Sequence, residues 1–438
     1  MLYFTNQSCY YVLMNQTKKL LSSSLIVFVG TAFGSVFSYL FNMLMGRQLG
    51  PTLYGELTAL MSFLAIISVA GGAILTIVMR YSGETYAMRH YAALKRLFLT
   101  FSKYVLAFAL ILFALSLAFI HPITEFLSIE NILPVIVGLS SIILGFTILV
   151  NKGILQGTQK FTALTTLGIV EMGLRLALGL LFVRLGYQLT GAVGGIVLAT
   201  AIAYVISFWP IKRLFKEKHQ DQSHEEFTFD KKEILKYSLP ATISTLMLAI
   251  ALNSDVILVK HFFSGEQAGM YAAISTIAKI ILYLTAPIIS VMFPMISEHK
   301  AKGESHYKLF LSTLGLTFIG ALLVLALYFI APGFVIKTLY GSAYLPFSAY
   351  LPEVGAMVLF YTLINLICNY YLAVRKFTFI YYYAGVLILQ IVAVFLFHNT
   401  LLEVIKIFIA SQALLFVILF ALYLYERRDR IREMLEKR

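Results

Sequence analysis

The chain has 438 residues, 60% of them hydrophobic and only 13% charged, against about 45–50% apolar and about 25% charged in ordinary soluble domains. A soluble globular protein is excluded, because this much apolar sequence supplies about a dozen membrane-crossing helices at about 20 residues each. The net charge of +13 would suggest nucleic acid in a soluble protein, so the positions of the 34 Lys and Arg must decide what the charge is for.

Read from the N-terminus, residues 1–17 carry no charge and are rich in Tyr and Asn, unlike a targeting segment, and Met14 is an alternative start to Met1. The first strongly apolar run follows Lys18 and Lys19 and passes Phe41 without an A-x-A-like cleavage site, so it reads as a span that stays in the protein. Apolar runs predict spans near 24–45, 55–79, 104–121, 130–151, 162–183, 190–211, 237–259, 268–294, 309–331, 352–374, 377–397 and 401–425. The expected fold is all-α, a polytopic membrane protein of about twelve transmembrane helices. No ten-residue alternation marks an outer-membrane barrel. The two cysteines, Cys9 and Cys368, stand in unrelated contexts and suggest neither a disulfide framework nor a zinc site.

Lys and Arg accumulate in cytoplasmic loops. Twenty-seven of the 34 fall on one side of this topology, Lys152 and Lys160 among them, and five on the other: Arg47, Arg184, Lys260, Lys337 and Lys406. Arg175 and Lys279 fall inside spans. Both termini are therefore expected in the cytoplasm, in a cell-membrane protein whose basic loops meet anionic lipid headgroups. Nucleic acid is not an expected partner, since no base-stacking module accompanies the charge. The hydrophilic stretch 213–236 mixes both signs and reads as a cytoplasmic linker between an N-terminal six-helix bundle (1–212) and a C-terminal one (237–425), with a basic tail at 426–438.

Two short matches join the halves. GRQLGPTLYGELTAL (46–60) aligns with KHFFSGEQAGMYAAI (260–274), Gly55 over Gly269 and Ala59 over Ala273, at a shift of 214. Lys160-Phe161-Thr162 recurs as Lys376-Phe377-Thr378 at a shift of 216. Their equivalent places in a six-plus-six layout favour two pseudo-symmetric bundles related by an axis along the membrane normal. A site between such bundles can be exposed to one side and then to the other, which makes transport the leading class.

The stretch MGRQLGPTLYGELTALMSF resembles the AR-x-LG-x-x-x-YG signature after the first helix of the polysaccharide transporter family. These are the oligosaccharide-lipid flippases of the multidrug/oligosaccharidyl-lipid/polysaccharide exporter superfamily. Further matches keep the family's order: the Arg80 end of helix two, LQGTQKF, LKYSLPATIS, Asp255 followed by Val-Ile-Leu-Val, AGMYAAISTIAKI, and FPMISE at 293–298. The resemblance covers essentially all twelve helices. It implies two six-helix bundles in a V around a central cavity, and translocation of a polyprenyl-pyrophosphate-linked oligosaccharide from the cytoplasmic to the outer leaflet. Lipid II flippases of the superfamily usually carry two extra helices. The multidrug and toxin extrusion branch shares the twelve-helix plan, so multidrug or organic-cation efflux antiport is the alternative function.

A charge near the bilayer centre costs from about 2.5 to more than 10 kcal/mol, so it normally faces a protein interior or a wet cavity. Glu171 and Arg175 lie four apart and can pair along one helix face; alternatively, Arg175 faces the cavity and attracts the pyrophosphate. Lys279, about 16 Å into helix eight at 1.5 Å per residue, reads as a second cavity cation or as a partner of Asp255 or Glu171. Asp255 is either a packing charge or a site for a coupling ion or proton. Arg47 is either an interfacial anchor or part of the outer substrate path. Arg suits phosphate because its planar fork donates in pairs, and Lys acts as a point charge. Asn365, Asn369 and Gln390, with Tyr361, Tyr370 and Tyr371, can offer hydrogen bonds and flat faces to sugars, although interfacial aromatics are general in membrane proteins.

Pro287 and Pro294 are expected to kink helix eight, and Gly30-x-x-x-Gly34 and Gly191-x-x-x-Gly195 to allow close helix packing. A membrane polymerase or glycosyltransferase is the second alternative, but the outer loops are short and 213–236 has no D-x-D motif. His219 and His224 there read as solvated rather than metal-bound. No Walker motif appears, so ATP use is not expected. No enzyme activity, metal or cofactor is expected beyond a coupling ion, H⁺ or Na⁺, that the sequence leaves open. Polysaccharide-assembly proteins are the further expected partners.

Overall fold

A computed structural model describes the backbone of residues 3–216, 231–302 and 304–436, with side chains at Gly30 and across 33–215, 239–300, 302 and 304–427. Lipid offers no partner to a backbone N–H or C=O, so a chain of this composition must satisfy them within helices. The elements are α1 (Tyr3–Ala87), α2 (Tyr91–Ala118), α3 (Ile120–Phe126), α4 (Ile132–Gly157), α5 (Phe161–Phe182), α6 (Gln188–Lys216), α7 (Lys231–Phe262), α8 (Gly265–Ala278), α9 (Ile280–Ala301), α10 (Tyr307–Ile330), α11 (Pro332–Leu339), α12 (Leu351–Ala373), α13 (Phe379–Leu396) and α14 (Leu401–Glu436). No strand occurs among the described residues.

Among the described residues, ten stretches are long and apolar enough to cross a membrane. Two of them, Phe33–Ala87 and Phe161–Phe215, run 55 residues each, about 80 Å of helix against a hydrocarbon core of about 30 Å. Each is broken internally. Gly50 holds φ 72 inside α1, just ahead of Pro51, and Gly186 holds φ 92 in the π-helical turn Val183–Tyr187 between α5 and α6. Only glycine adopts such angles without strain. With the broken stretches counted as two spans each, the described residues hold the twelve spans that the apolar runs predict.

Three boundaries differ from the sequence reading. The eighth span bends at Lys279 (ψ −9), between α8 and α9, with helical hydrogen bonds to Ser275 O and from Tyr283 N, and Pro287 and Pro294 lie within α9. The segment after the ninth span folds as α11 and a 3₁₀ turn, Ser342–Tyr350. The stretch read as a basic tail continues α14 as far as Glu436.

The internal repeat extends to the backbone. α4 ends with Gln159 at φ 59 and α12 with Arg375 at φ 53. Lys160 N donates to Leu155 O at 2.8 Å, and Lys376 N to Tyr371 O at 3.0 Å. These are the six-to-one bonds of a Schellman turn, made by residues that correspond pairwise at the shift of 216. The other match meets itself. A Cβ on Gly55 would lie 2.8 Å from Gly269 N, and one on Gly269 would overlap Pro51 O.

The described residues gather into two compact units. The first comprises Met1–Met45, Gly71–Ile120 and Asn131–Phe229; in it α6 packs on α4 and α5, and α4 on α2. The second comprises Gly46–Ala70, His121–Glu130 and Asp230–Arg438. Its core is α12, which buries most of its residues against α9, α10 and α14. The division at 229 falls in the hydrophilic linker. However, Gly46–Ala70 and His121–Glu130, counted with the first half in the sequence reading, join the second unit. The reason is local: Gly55 packs backbone to backbone on Gly269, and the His261 ring nitrogen Nδ1 lies 2.9 Å from Phe126 O.

Candidate functional site

In the first unit, small residues on α1 and α5 (Gly30, Gly34 and Gly168) leave room for a cavity of about 360 Å³. Polar side chains, Ser38, Lys152, Thr165 and Glu171, also line it. Lys152 Nζ on α4 lies 2.8 Å from Glu171 Oε2 on α5, with the two side chains 23% and 11% exposed. Thr200 on α6 donates to Glu171 Oε1 at 3.3 Å. One turn along α5, the Arg175 guanidinium carbon stands 4.6 Å over the Phe41 ring, a cation–π contact. The formal charges of Lys152, Glu171 and Arg175 sum to a single positive charge, and Lys152 and Glu171 line the cavity.

The partner of Glu171 is therefore Lys152 rather than its helix neighbour Arg175. Sequence reasoning missed Lys152 because the apolar run 130–151 stops one residue short of it, which placed it with the cytoplasmic loop. α4 continues to Gly157, so Lys152 belongs to the helix. The available signal was Glu171, a carboxylate inside a span that needs a cation from a neighbouring helix.

Two further ion pairs lie in the second unit. Asp255 is fully buried on α7, and its Oδ2 accepts from Ser275 Oγ at 2.6 Å and Tyr271 OH at 3.2 Å. Lys279 Nζ is 3.9 Å from Oδ1, an oxygen with no hydrogen-bond partner. Of the two carboxylates weighed as structural partners for Lys279, the structure places Asp255 beside it. Lys260, expected in an outer loop, is 3% exposed and lies 3.9 Å from Glu56.

These charges do not repeat. At the shift of 214, Glu56 corresponds to Met270, Lys260 to Gly46, Asp255 to Phe41 and Lys279 to Ala65. At the shift of 216, Lys152 corresponds to Cys368, Glu171 to Leu387 and Arg175 to Ile391. The same helices fold in the other half without them, so the scaffold does not require these charges.

The other expected site residues are engaged with the protein. Arg47 Nε donates to Leu339 O at 2.9 Å, and its second nitrogen donates to Thr338 O. It thereby caps the C-terminus of α11, where a cation is favoured. Gln390 is buried between α13 and α14, its Oε1 accepting from Ser411 Oγ at 2.7 Å and Gln412 Nε2 at 3.3 Å. Asn369 donates to Asn365 O at 2.8 Å and Oδ1 at 3.0 Å on α12, both residues half-buried. Tyr361 donates to Leu248 O at 3.1 Å, Tyr370 lies 3.4 Å from His306 Nδ1, and Tyr371 stacks on Phe379 at 5.4 Å. Among the described residues no cluster of three potential metal ligands occurs; His219 and His224 lie outside them.

The whole chain is similar in fold to solved transporters. A multidrug-resistance MATE-family transporter of the MOP superfamily, in an inward-facing conformation, superposes with a TM-score of 0.74 at 15% identity, covering 92% of this chain and 96% of that one. A MATE protein in a straight conformation gives 0.63 at 17% identity, over 95% and 96%. A MOP-superfamily transporter from Pyrococcus furiosus, described by a reversed polarity of its binding pocket, gives 0.61 at 17% identity, over 91% and 94%. At these identities the likeness is one of fold. No curated protein matches the sequence. The family model described as "Polysaccharide biosynthesis protein" matches residues 20–300. With more than half its length matched, this multi-pass membrane protein belongs to the polysaccharide biosynthesis family, on the transporter fold of the MOP superfamily.

Proposed function

We propose that the protein flips a polyprenyl-pyrophosphate-linked oligosaccharide across the cytoplasmic membrane by alternating access, with both termini in the cytoplasm and no catalytic step. The observation that carries this reading is the unrepeated cluster Lys152, Glu171 and Arg175 beside the first-unit cavity. A pyrophosphate leaving the headgroup layer needs cations in a low-dielectric region. Lys152 can supply one by exchanging Glu171 for a phosphate oxygen, and Arg175 supplies a fork that matches phosphate geometry. The sugar crosses in a wet space and the polyprenyl chain stays in lipid. Anionic headgroups contact the basic ends of the helices, and polysaccharide-assembly proteins are the expected neighbours.

The test is reconstitution in proteoliposomes with a lipid-linked oligosaccharide whose outer-leaflet arrival is read by an impermeant glycosidase. Arg175→Ala and, as a second protein, Lys152→Met with Glu171→Met are expected to slow flipping at least roughly tenfold, about 1.4 kcal/mol, with folded protein unchanged in amount. Normal flipping by both would overturn the role of the cluster. Drug efflux in a pump-deficient host with no effect on surface glycan would instead support the multidrug alternative.

A further inference from the structure

In the first unit α2 and α6 both pack on α4, and toward its basic end they reach each other through one ring. Phe98 on α2 stands 6.3 Å from Phe208 and 5.9 Å from Phe215 on α6. Helix spacing then decides what accompanies the rings. Lys95 lies three residues before Phe98, and Lys212 lies four after Phe208 and three before Phe215. Each lysine therefore shares its helix face with the bridge, and both are exposed. Further round the helices come Arg96 and Lys103 on α2 and Arg213 on α6, all exposed.

Like charges are thus brought to one seam, where they repel unless an anion joins them. α2, α4 and α6 contain no Asp or Glu, and among the described residues none of these five cations forms an ion pair or a side-chain hydrogen bond. The second half closes its corresponding seam with its own groups. There α10 and α14, the third and sixth spans of that half, both pack on α12 and meet as Phe310 and Tyr423, with ring centroids 4.5 Å apart. Arg427 lies 5.8 Å over Tyr307, and Glu426 pairs with Lys376 at 2.7 Å. Lys160, the counterpart of Lys376 at the shift of 216, meets no carboxylate among the described residues. The same arrangement folds with a carboxylate in place, so the uncompensated charge of the first half is not a requirement of folding.

The surface beside the lysines is apolar. Leu99 and Leu106 continue the face of Lys95 away from the basic end, and Val205 stands two turns before Lys212, each of them exposed. Trp209, the single tryptophan of the chain, is 63% exposed, with the Arg213 guanidinium carbon 4.1 Å over its ring. Exposed indoles of membrane proteins sit at headgroup level. A water-soluble anion would use the cations and leave the apolar surface bare, whereas an anionic phospholipid uses both. We propose that the α2–α6 seam is the resident site of an anionic phospholipid, its headgroup phosphate held by Lys95 and Lys212 and an acyl chain laid along Leu99, Leu106 and Val205. Occupation of this site does not depend on what the protein transports.

Trp209 reports occupancy directly, because bromine on a neighbouring acyl chain quenches indole fluorescence. In vesicles of phosphatidylcholine and phosphatidylglycerol, brominated phosphatidylglycerol is expected to quench Trp209 as though enriched roughly fivefold or more over brominated phosphatidylcholine at equal mole fraction. Lys95→Gln with Lys212→Gln is expected to abolish the enrichment. Lys302→Gln with Lys308→Gln removes the same charge from the second unit and is expected to leave it intact. Quenching that tracks mole fraction in the parent, or an enrichment that survives the first pair of substitutions, overturns the site. An enrichment lost equally with the second pair overturns it too, since a diffuse attraction of the whole surface would then suffice. Displacement of the brominated lipid by glycerol phosphate in the buffer would give the lysines to a soluble phosphate instead. None of these readings involves the lipid-linked oligosaccharide, so the flippase reading can fail and leave the lipid site standing.

Discussion

Lys152 and Glu171 are joined at 2.8 Å across α4 and α5, where the other half of the chain carries Cys368 and Leu387. The pair separates stability from transport. Lys152→Ala leaves a carboxylate with only the Thr200 hydroxyl, which should cost about 3 kcal/mol and lower the thermal midpoint of the purified protein. Lys152→Met with Glu171→Met should recover that midpoint, because apolar replacement of a buried pair is often neutral, yet still fail to flip substrate. A double variant that flips normally would assign the pair to packing.

Asp255 and Lys279 should behave as a coupled pair. Lys279→Met leaves a fully buried carboxylate that only two hydroxyls address, so it should destabilise the protein more than Asp255→Asn does. Combining the two should return at least about 1 kcal/mol of coupling in a double-mutant cycle, read from thermal unfolding in nanodiscs. Additive losses would show that the 3.9 Å approach carries no interaction.

Gln390, a candidate sugar contact, is buried between α13 and α14. Gln390→Leu should cost about 1–3 kcal/mol, since Ser411 and Gln412 lose their acceptor. It should leave the preference among lipid-linked glycans unchanged, as competition between two such substrates would show. A changed preference with unchanged stability would return Gln390 to the substrate path.

Gly269→Ala places a methyl into Pro51 O and should abolish correctly folded protein or shift its folded fraction sharply, measured as monodisperse yield. Gly385→Ala, in a helix where nothing lies within 4 Å of the added carbon, serves as the control and should gain a little helical stability. Equal yields from the two would contradict the backbone contact between the repeats.

The bilayer explains what could be read in advance. Helix length and apolarity are dictated by membrane thickness, so twelve spans and the turn shared by Lys160-Phe161-Thr162 and Lys376-Phe377-Thr378 were visible in one dimension. Charge partners were not. Lys152 and Lys260 each stand one residue beyond an apolar run, and a one-residue boundary decided between loop and helix for both. A sequence shows on which helix a charge sits but not what the neighbouring helix offers, so Glu171 was matched to Arg175 on its own helix and Arg47 was left without its carbonyls.

The two 55-residue apolar stretches also bear on how the chain reaches its place. Gly50-Pro51 and the turn at Gly186 leave no hydrophilic segment able to hold one arm in the membrane while the other is still being synthesised. The second stretch, whose arms α5 and α6 pack on each other, is expected to partition as a helical hairpin, both arms together. A nascent chain halted shortly after Gly186 would expose one arm without its companion, and biogenesis, rather than the finished fold, is where a lesion in this tight turn would first be felt.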